Sequence, residues 1–227
     1  MENLCDIPFF SSLDRTDGEV LGKSCLWKNY DAHEMVIDVD EQTADVRFII
    51  TGRVRVINRL SVGKEVILSE MKAGDFFGEL AAIDGDTRSA NVTTLYKSRI
   101  CIVPQKIFLT ILQKAPAVNL EVMRVLTRRV RSLNMRLAEQ SFLQAKHRLY
   151  AELIRLSKPR LGHEGQRSIS PPQTQKELAE RIGTRREVVS RELNALQKQG
   201  VFEKTRGALV LTDVAELQKR ISEAWEE

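Results

Sequence analysis

Two stretches of the chain place reactive or recognising side chains at spacings that could do chemistry. The first is Gly78-Glu79-Leu80-Ala81, followed seven residues after Ala81 by Arg88-Ser89-Ala90. A helix that starts at the glycine offers unpaired backbone N–H groups to an anion, the Arg88 guanidinium matches a pair of phosphate oxygens, and Ser89 adds a hydroxyl beside it. A carboxylate at Glu79 is badly placed for a phosphate but suited to accept hydrogen bonds from a ribose hydroxyl. As composition alone, the same residues also fit a turn with a surface arginine and a helix-capping serine.

The second stretch is Arg186-Glu187 with Ser190-Arg191 and Asn194. Arg186 and Arg191 suit bidentate contacts with guanine O6 and N7, Glu187 can accept from cytosine N4, and Ser190 can reach a base or a phosphate. The elements that present them are legible from capping chemistry. Thr174 with Glu177, and Thr184 with Glu187, each fit a box in which hydroxyl and carboxylate reciprocally satisfy backbone N–H groups at a helix start. These predict helices over 175–182 and 185–199 around a turn at Gly183, a helix-turn-helix. The second helix buries Val189, Leu193 and Leu196 and turns the polar set outward. Gly200 ends it, VFEKTRGALVL reads as a two-stranded wing turning at Arg206-Gly207, and 213–225 as a last amphipathic helix. Lys176, Lys204 and Arg206 suit phosphate contacts, or are simply solvated.

Upstream, residues 34–104 hold six short β-rich runs (EMVIDVD, VRFIITG, RVRVINRL, EVILSEM, ANVTTL, SRICIV) at the spacing of an antiparallel sandwich or roll. Thr51-Gly52 and Val62-Gly63-Lys64 are expected hairpin turns. Residues 6–27 read as one or two short helices packed on the outside. After Pro116 the period lengthens, and Met123, Leu126, Val130, Leu133 and Leu137 recur at alternating steps of three and four, flanked by Arg128, Arg129, Arg131 and Arg136. Such a narrow seam is the pattern of helices pairing between two copies of the chain, with packing on its own sandwich as the alternative. A break at 140–143 precedes a helix over 144–157 and a Gly/Pro-rich stretch, KPRLGHEGQRSISPPQ, expected to be loops around at most one short strand. The expectation is an α+β protein: an antiparallel β-roll effector domain over 1–116, a dimerisation helix and hinge over 117–143, and a winged helix-turn-helix over 144–227.

At 227 residues, with 42% hydrophobic and 29% charged, the chain has material for a packed core and suits one large domain or two small ones. The net charge of +4 divides into −3 before residue 119 and +7 from there on, so a polyanion would bind the second half. Three dispersed cysteines, Cys5, Cys25 and Cys101, supply neither a disulfide framework nor a metal site, and no metal is expected. The lack of a long apolar run or a leader-like start leads to the expectation of a cytoplasmic protein with no membrane contact. No nucleophile elbow, phosphate-binding Walker loop or metal cluster argues for an enzyme.

Taken in order, F-G-E-L-A…R-S-A within a β-roll, a long helix, and a helix-turn-helix bearing R-E-x-x-S-R resemble the Crp/Fnr family of bacterial transcription regulators, closest to its cyclic-AMP receptor branch. The resemblance implies that Glu79 holds a ribose 2′-hydroxyl, that Arg88 and Ser89 hold a cyclic phosphate, and that the backbone of Gly78, Leu80 and Ala81 closes around the ligand. It places Leu133 and Asn134 where a Thr and a Ser would contact the adenine. Leu133 cannot hydrogen-bond a base, whereas Asn134 can from the partner subunit, so cAMP is favoured and cGMP stays possible. It further implies a homodimer on a palindromic duplex with half-sites about 10 bp apart, a hinge at 141–143, and RNA polymerase as a partner. Arg186, Glu187 and Arg191 match the base readers of one branch, and Glu187, Ser190 and Arg191 those of the other, leaving TGTGA-like and TTGA-like half-sites both open. Three cysteines cannot hold the four-cysteine iron–sulfur cluster of the oxygen-sensing branch. The alternatives are a ligand-independent regulator of the same fold, one answering to haem through His33, His147 or His163, and a cyclic-nucleotide-binding module that contacts proteins rather than DNA.

Overall fold

Short runs of β-branched and aromatic residues form eight strands, β1 (Leu26–Tyr30), β2 (Met35–Ile37), β3 (Val46–Thr51), β4 (Arg53–Arg59), β5 (Glu65–Lys72), β6 (Phe76–Phe77), β7 (Asn91–Thr94) and β8 (Ser98–Val103). They close into a roll of two antiparallel four-stranded sheets, in the orders β1-β8-β3-β6 and β2-β7-β4-β5. The computed structural model describes residues 3–59 and 65–226, and the chain divides into two units, Met1–Arg129 and Val130–Glu227.

Within the first unit, Thr51-Gly52 is not the expected hairpin turn. β3 pairs with β6 and β8, β4 pairs with β5 and β7, and the chain crosses from one sheet to the other at Gly52. Gly52 has φ +92°, and a Cβ there would collide with the Ser98 hydroxyl and lie 2.7 Å from the Lys97 carbonyl, so the corner admits only glycine. Pattern reading does not separate the two cases, because a sheet switch and a hairpin share the same turn residue. The expected turn at Val62-Gly63-Lys64 lies outside the described residues.

The amino-terminal segment is also placed differently from expectation. Two single-turn 3-10 helices, Leu4–Asp6 and Pro8–Phe10, precede α1 (Arg15–Gly22). Leu4, Ile7, Phe10 and Leu13 from this segment are core residues rather than an outer covering. Phe10 stacks at 4.5 Å on Phe48, which lies 5.4 Å from Phe76 and 6.5 Å from Phe108, and each such pair adds about 1 kcal/mol beyond its buried area. The helix expected to start at Gly78, α2 (Glu79–Asp84), and one without an expectation, α3 (Gln105–Lys114), complete the roll.

α4 runs over Pro116–Phe142. Val118 and Val122 bury against the aromatic cluster, and Leu126, of the expected pairing seam, packs half-buried there as well. The rest of the seam, Met123, Val130, Leu133 and Leu137, is exposed. The helix thus splits its apolar residues between its own roll and an uncovered stripe, which is why both readings of the periodicity had support.

The second unit continues with α5 (Ala145–Leu156), β9 (Lys158–Pro159), β10 (Arg167–Ile169), α6 (Gln175–Ile182), α7 (Arg186–Lys198), β11 (Phe202–Lys204), β12 (Leu209–Leu211) and α8 (Val214–Glu226). The stretch after α5 supplies two strands, not one, and the wing is therefore the edge of a four-stranded sheet, β11-β12-β10-β9. Thr174 and Glu177 form the expected capping box. Thr184 and Glu187 do not: the Thr184 N–H donates to the Ala179 carbonyl, finishing the preceding turn, so Arg185 takes the N-cap position and α7 starts one residue later. Beneath the helices, Glu152 is almost wholly buried and gathers Arg155, Arg136 at 3.4 Å and Arg181 at 3.7 Å, while Arg155 also reaches Glu139 at 2.5 Å. This network fastens the end of α4 to α5 and α6.

Candidate functional site

The first constellation assembles where β6 runs into α2. Gly78 has φ +83° and starts the helix; a Cβ on it would stand 2.8 Å from both Arg88 Nη1 and the Asp45 carbonyl, so the close approach of these backbones requires glycine. Glu79 and Ala81 are buried and Leu80 is exposed. Arg88 is carried from the far side of α2 into the same place and donates Nη1 to the Gly78 carbonyl at 3.1 Å. Its neighbour Ser89 is exposed. Arg88 thus meets the half-buried Gly78 at the start of α2, whose next residues include the buried Glu79 and Ala81, while Leu80 and Ser89 are exposed.

Side chains without an earlier expectation surround these residues. Arg129 Nη1 donates to Glu79 Oε1 at 2.6 Å, Arg129 Nη2 donates to the Phe76 carbonyl at 2.6 Å, and the guanidinium lies over the Phe76 ring at 5.1 Å. Thr43 Oγ1 accepts from Arg88 Nε at 3.1 Å and from Nη2 at 2.9 Å. The Asp45 carboxylate bridges two guanidiniums, at 3.2 Å from Arg88 Nη2 and 2.7 Å from Arg47 Nε. Burial pulls the Arg88 pKa below its ordinary value and Asp45 opposes that shift. The group remains a cation, because a guanidinium starts so far above neutrality. Only the charge of Arg47 within the otherwise apolar strand β3, with Asp45 just before it, could have signalled this surrounding shell.

The second constellation lies on α7. Val189 and Leu196 are fully buried and Leu193 nearly so, which turns Arg186, Glu187, Ser190, Arg191 and Asn194 to one side, where with Lys198 they line a shallow depression. Because Glu187 takes no part in a cap, its carboxylate faces that depression. Lys176 is exposed and pairs with Glu180 at 3.6 Å; Lys204 and Arg206 are exposed on the wing and its turn. Leu133 and Asn134 are exposed on α4. The three histidines sit apart: His33 in an exposed turn with φ +63°, His163 in an exposed loop, and His147 buried on α5 with its ring edge toward Tyr150. Among the described residues no three His, Cys, Asp or Glu side chains are grouped to hold a metal, and no helix is long and apolar enough to cross a membrane.

A β-roll with a glycine-capped cassette, followed by a long helix and a winged helix-turn-helix, defines a DNA-binding transcription regulator built on a cyclic-nucleotide-binding fold. The comparisons with known proteins agree. Residues 27–115 match the cyclic nucleotide-binding domain and residues 147–220 the Crp-like helix-turn-helix domain. The chain belongs to the Crp/Fnr family of transcription regulators. It is 28% identical over 174 residues to the CRP-like cAMP-activated global transcriptional regulator of Mycobacterium tuberculosis, covering 76% of this chain and 77% of that one. It is 29% identical over 171 residues to the cyclic AMP receptor protein of Thermus thermophilus, covering 75% and 76%. In fold it matches a CooA mutant from Carboxydothermus hydrogenoformans with a TM-score of 0.79 at 24% identity, over 97% of this chain and 96% of that one. The curated relatives are transcriptional regulators of the CRP family, not enzymes.

Proposed function

We propose that the protein is a homodimeric regulator whose binding to a palindromic DNA site is gated by a cyclic nucleotide, cAMP before cGMP. Effector binding belongs to residues 1–116, pairing to 117–143 and DNA recognition to 144–227. The observation that carries the reading is that Glu79 and Arg88 are both buried at the start of α2, with Arg88 bonded to the Gly78 carbonyl, giving a carboxylate for ribose hydroxyls and a guanidinium for a phosphate. Arg88 and Ser89 would take the cyclic phosphate, Glu79 the ribose 2′-hydroxyl, and the backbone at Gly78, Leu80 and Ala81 would close over both. Asn134 of the partner subunit would meet the base. The exposed stripe of Met123, Val130, Leu133 and Leu137, with Leu126 at its edge, supports pairing through α4. Arg186, Glu187, Ser190 and Arg191 would read base edges while Lys176, Lys204 and Arg206 hold phosphates, with RNA polymerase the downstream partner. For gating, the effector must favour the DNA-competent arrangement over the other.

Calorimetric titration of the nucleotide-free protein with cAMP, and separately cGMP, tests this: one site per chain with cAMP the tighter ligand is expected, and no heat from either overturns it. A second reading, a regulator that needs no effector, is favoured by one observation. The charges of Arg88 and Glu79 are already matched inside the chain, by Asp45 and Arg129. The DNA affinity of the same preparation, unchanged by either nucleotide, would select it.

A further inference from the structure

The segment 38–45 joins β2 to β3 and brings Thr43 and Asp45 against Arg88 of the cassette. Val39 N–H is tied to Asn91 Oδ1 at 3.1 Å, and the segment then delivers Thr43 and Asp45 to Arg88. A guanidinium can grip two oxygens of a phosphate through its Nε/Nη2 edge or its Nη1/Nη2 end; Nη1 of Arg88 already donates to the Gly78 carbonyl at 3.1 Å, which leaves the Nε/Nη2 edge. Here that edge is occupied. Thr43 Oγ1 accepts from both nitrogens, at 3.1 and 2.9 Å, the Asp45 carbonyl accepts from Nη2 at 3.0 Å, and an Asp45 carboxylate oxygen stands 3.2 Å from the same nitrogen. The Thr43 hydroxyl is held in this orientation because it donates to Glu41 Oε2 at 3.2 Å. As a result the Arg88 side chain is only 2% exposed, although Thr43 itself lies at the surface. A guanidinium so covered cannot touch an incoming phosphate.

We infer that segment 38–45 is a self-occupying strap, in which Thr43 and Asp45 hold the place of the phosphate oxygens on Arg88 and must be exchanged for them when effector binds. This rests on the reading of the cassette as a cyclic-nucleotide site. The exchange is feasible because Asp45 has a second cation: its other carboxylate oxygen is 2.7 Å from Arg47 Nε, and Arg47 also reaches Glu41 at 3.5 Å. When the strap lifts, Arg47 stays paired with Asp45 and Glu41 while Arg88 passes to the ligand. Thr43 and Asp45 thereby set the affinity for the effector, since the measured affinity is the intrinsic one reduced by the fraction of chains with the strap open.

The test is calorimetric titration with cAMP of the wild type and of two single variants, Thr43→Val, which keeps the shape and removes the oxygen, and Asp45→Asn, which removes the competing charge. Each is repeated with Arg88→Leu added, and thermal melting verifies that every variant is folded. The expected result is about tenfold tighter binding in Thr43→Val and a similar gain in Asp45→Asn, both abolished by Arg88→Leu. A merely structural role for these residues would weaken binding, not tighten it. Wild-type or weaker affinity in the folded variants overturns the strap while leaving the cassette reading in place, provided Arg88→Leu alone loses binding. A gain that survives Arg88→Leu also overturns the strap, because the released edge would not be the one in use. No heat from any form overturns both. Should Asp45→Asn fail to fold, Thr43→Val decides alone, because the residue it changes is exposed.

Discussion

Arg129 of α4 and Glu79 of the cassette form an ion pair of 2.6 Å, with the carboxylate side chain 5% exposed and the guanidinium 28% exposed. The pair joins the element that would hold a ribose to the helix that would pair two chains. Removing the cation alone strands a carboxylate in a low-dielectric site, whereas removing both charges does not. Arg129→Gln is therefore expected to destabilise the β-roll by about 2 kcal/mol, with part of that recovered in Glu79→Gln/Arg129→Gln. Urea unfolding of the wild type, both single variants and the double variant checks it; losses that simply add, with nothing recovered in the double variant, would show that the two charges are not coupled.

On α7 the division between base readers and phosphate holders can be separated by mutation. Arg191→Ala should cost about 1–3 kcal/mol on the preferred duplex and flatten the preference at one base pair. Lys204→Ala should weaken all duplexes alike and reduce the salt dependence by about one charge. Binding to a panel of single-base variants at several salt concentrations measures both. The reverse pattern would move base reading from the helix to the wing.

Glu152 is the centre of the charge network under the helix-turn-helix, 1% exposed and shared by Arg136, Arg155 and Arg181. Glu152→Gln leaves these guanidiniums without their common acid and is expected to destabilise the second unit by about 3 kcal/mol. Thermal melting of the variant, followed by a probe in that unit such as Trp225 fluorescence, reads the loss. A change within about 0.5 kcal/mol would mean that the network is dispensable.

Tyr150 offers a pH test. Burial, then its hydrogen bond to Glu192, pushes its phenol from 10.0 up to about 12. The folded pKa lies above the unfolded one, so the stabilisation is complete below about pH 10 and is lost as pH rises toward 12. The loss is on the order of 2 kcal/mol. Comparing the fall in stability over that window with Tyr150→Phe isolates it; the same slope in both forms would contradict the assignment.

The legible parts of this chain were those whose local chemistry is self-contained. The Thr174 capping box, the turn at Gly183 and the Val189, Leu193, Leu196 face fall where spacing alone placed them, because each depends only on residues a few positions away. The corner at Gly52 was misread because the partners of β3 and β4 lie in different sheets, information carried by distant strands. The amino-terminal residues were misplaced for a similar reason: Leu4 and Phe10 look like any short helix until Phe48 and Phe108 supply the surface they fill. Around the cassette, Gly78, Glu79 and Arg88 were visible as a motif. Thr43, Asp45 and Arg129 were not, since they arrive from a loop and a helix dozens of residues away.

The most direct test of the central claim is the affinity of the protein for a labelled palindromic duplex, measured by fluorescence anisotropy with and without saturating cAMP, for the wild type and Arg88→Leu. The account predicts that cAMP tightens wild-type binding at least tenfold and leaves Arg88→Leu unmoved. Equal affinity of the wild type with and without nucleotide would contradict it, and would leave a DNA-binding regulator whose cassette is a structural element alone.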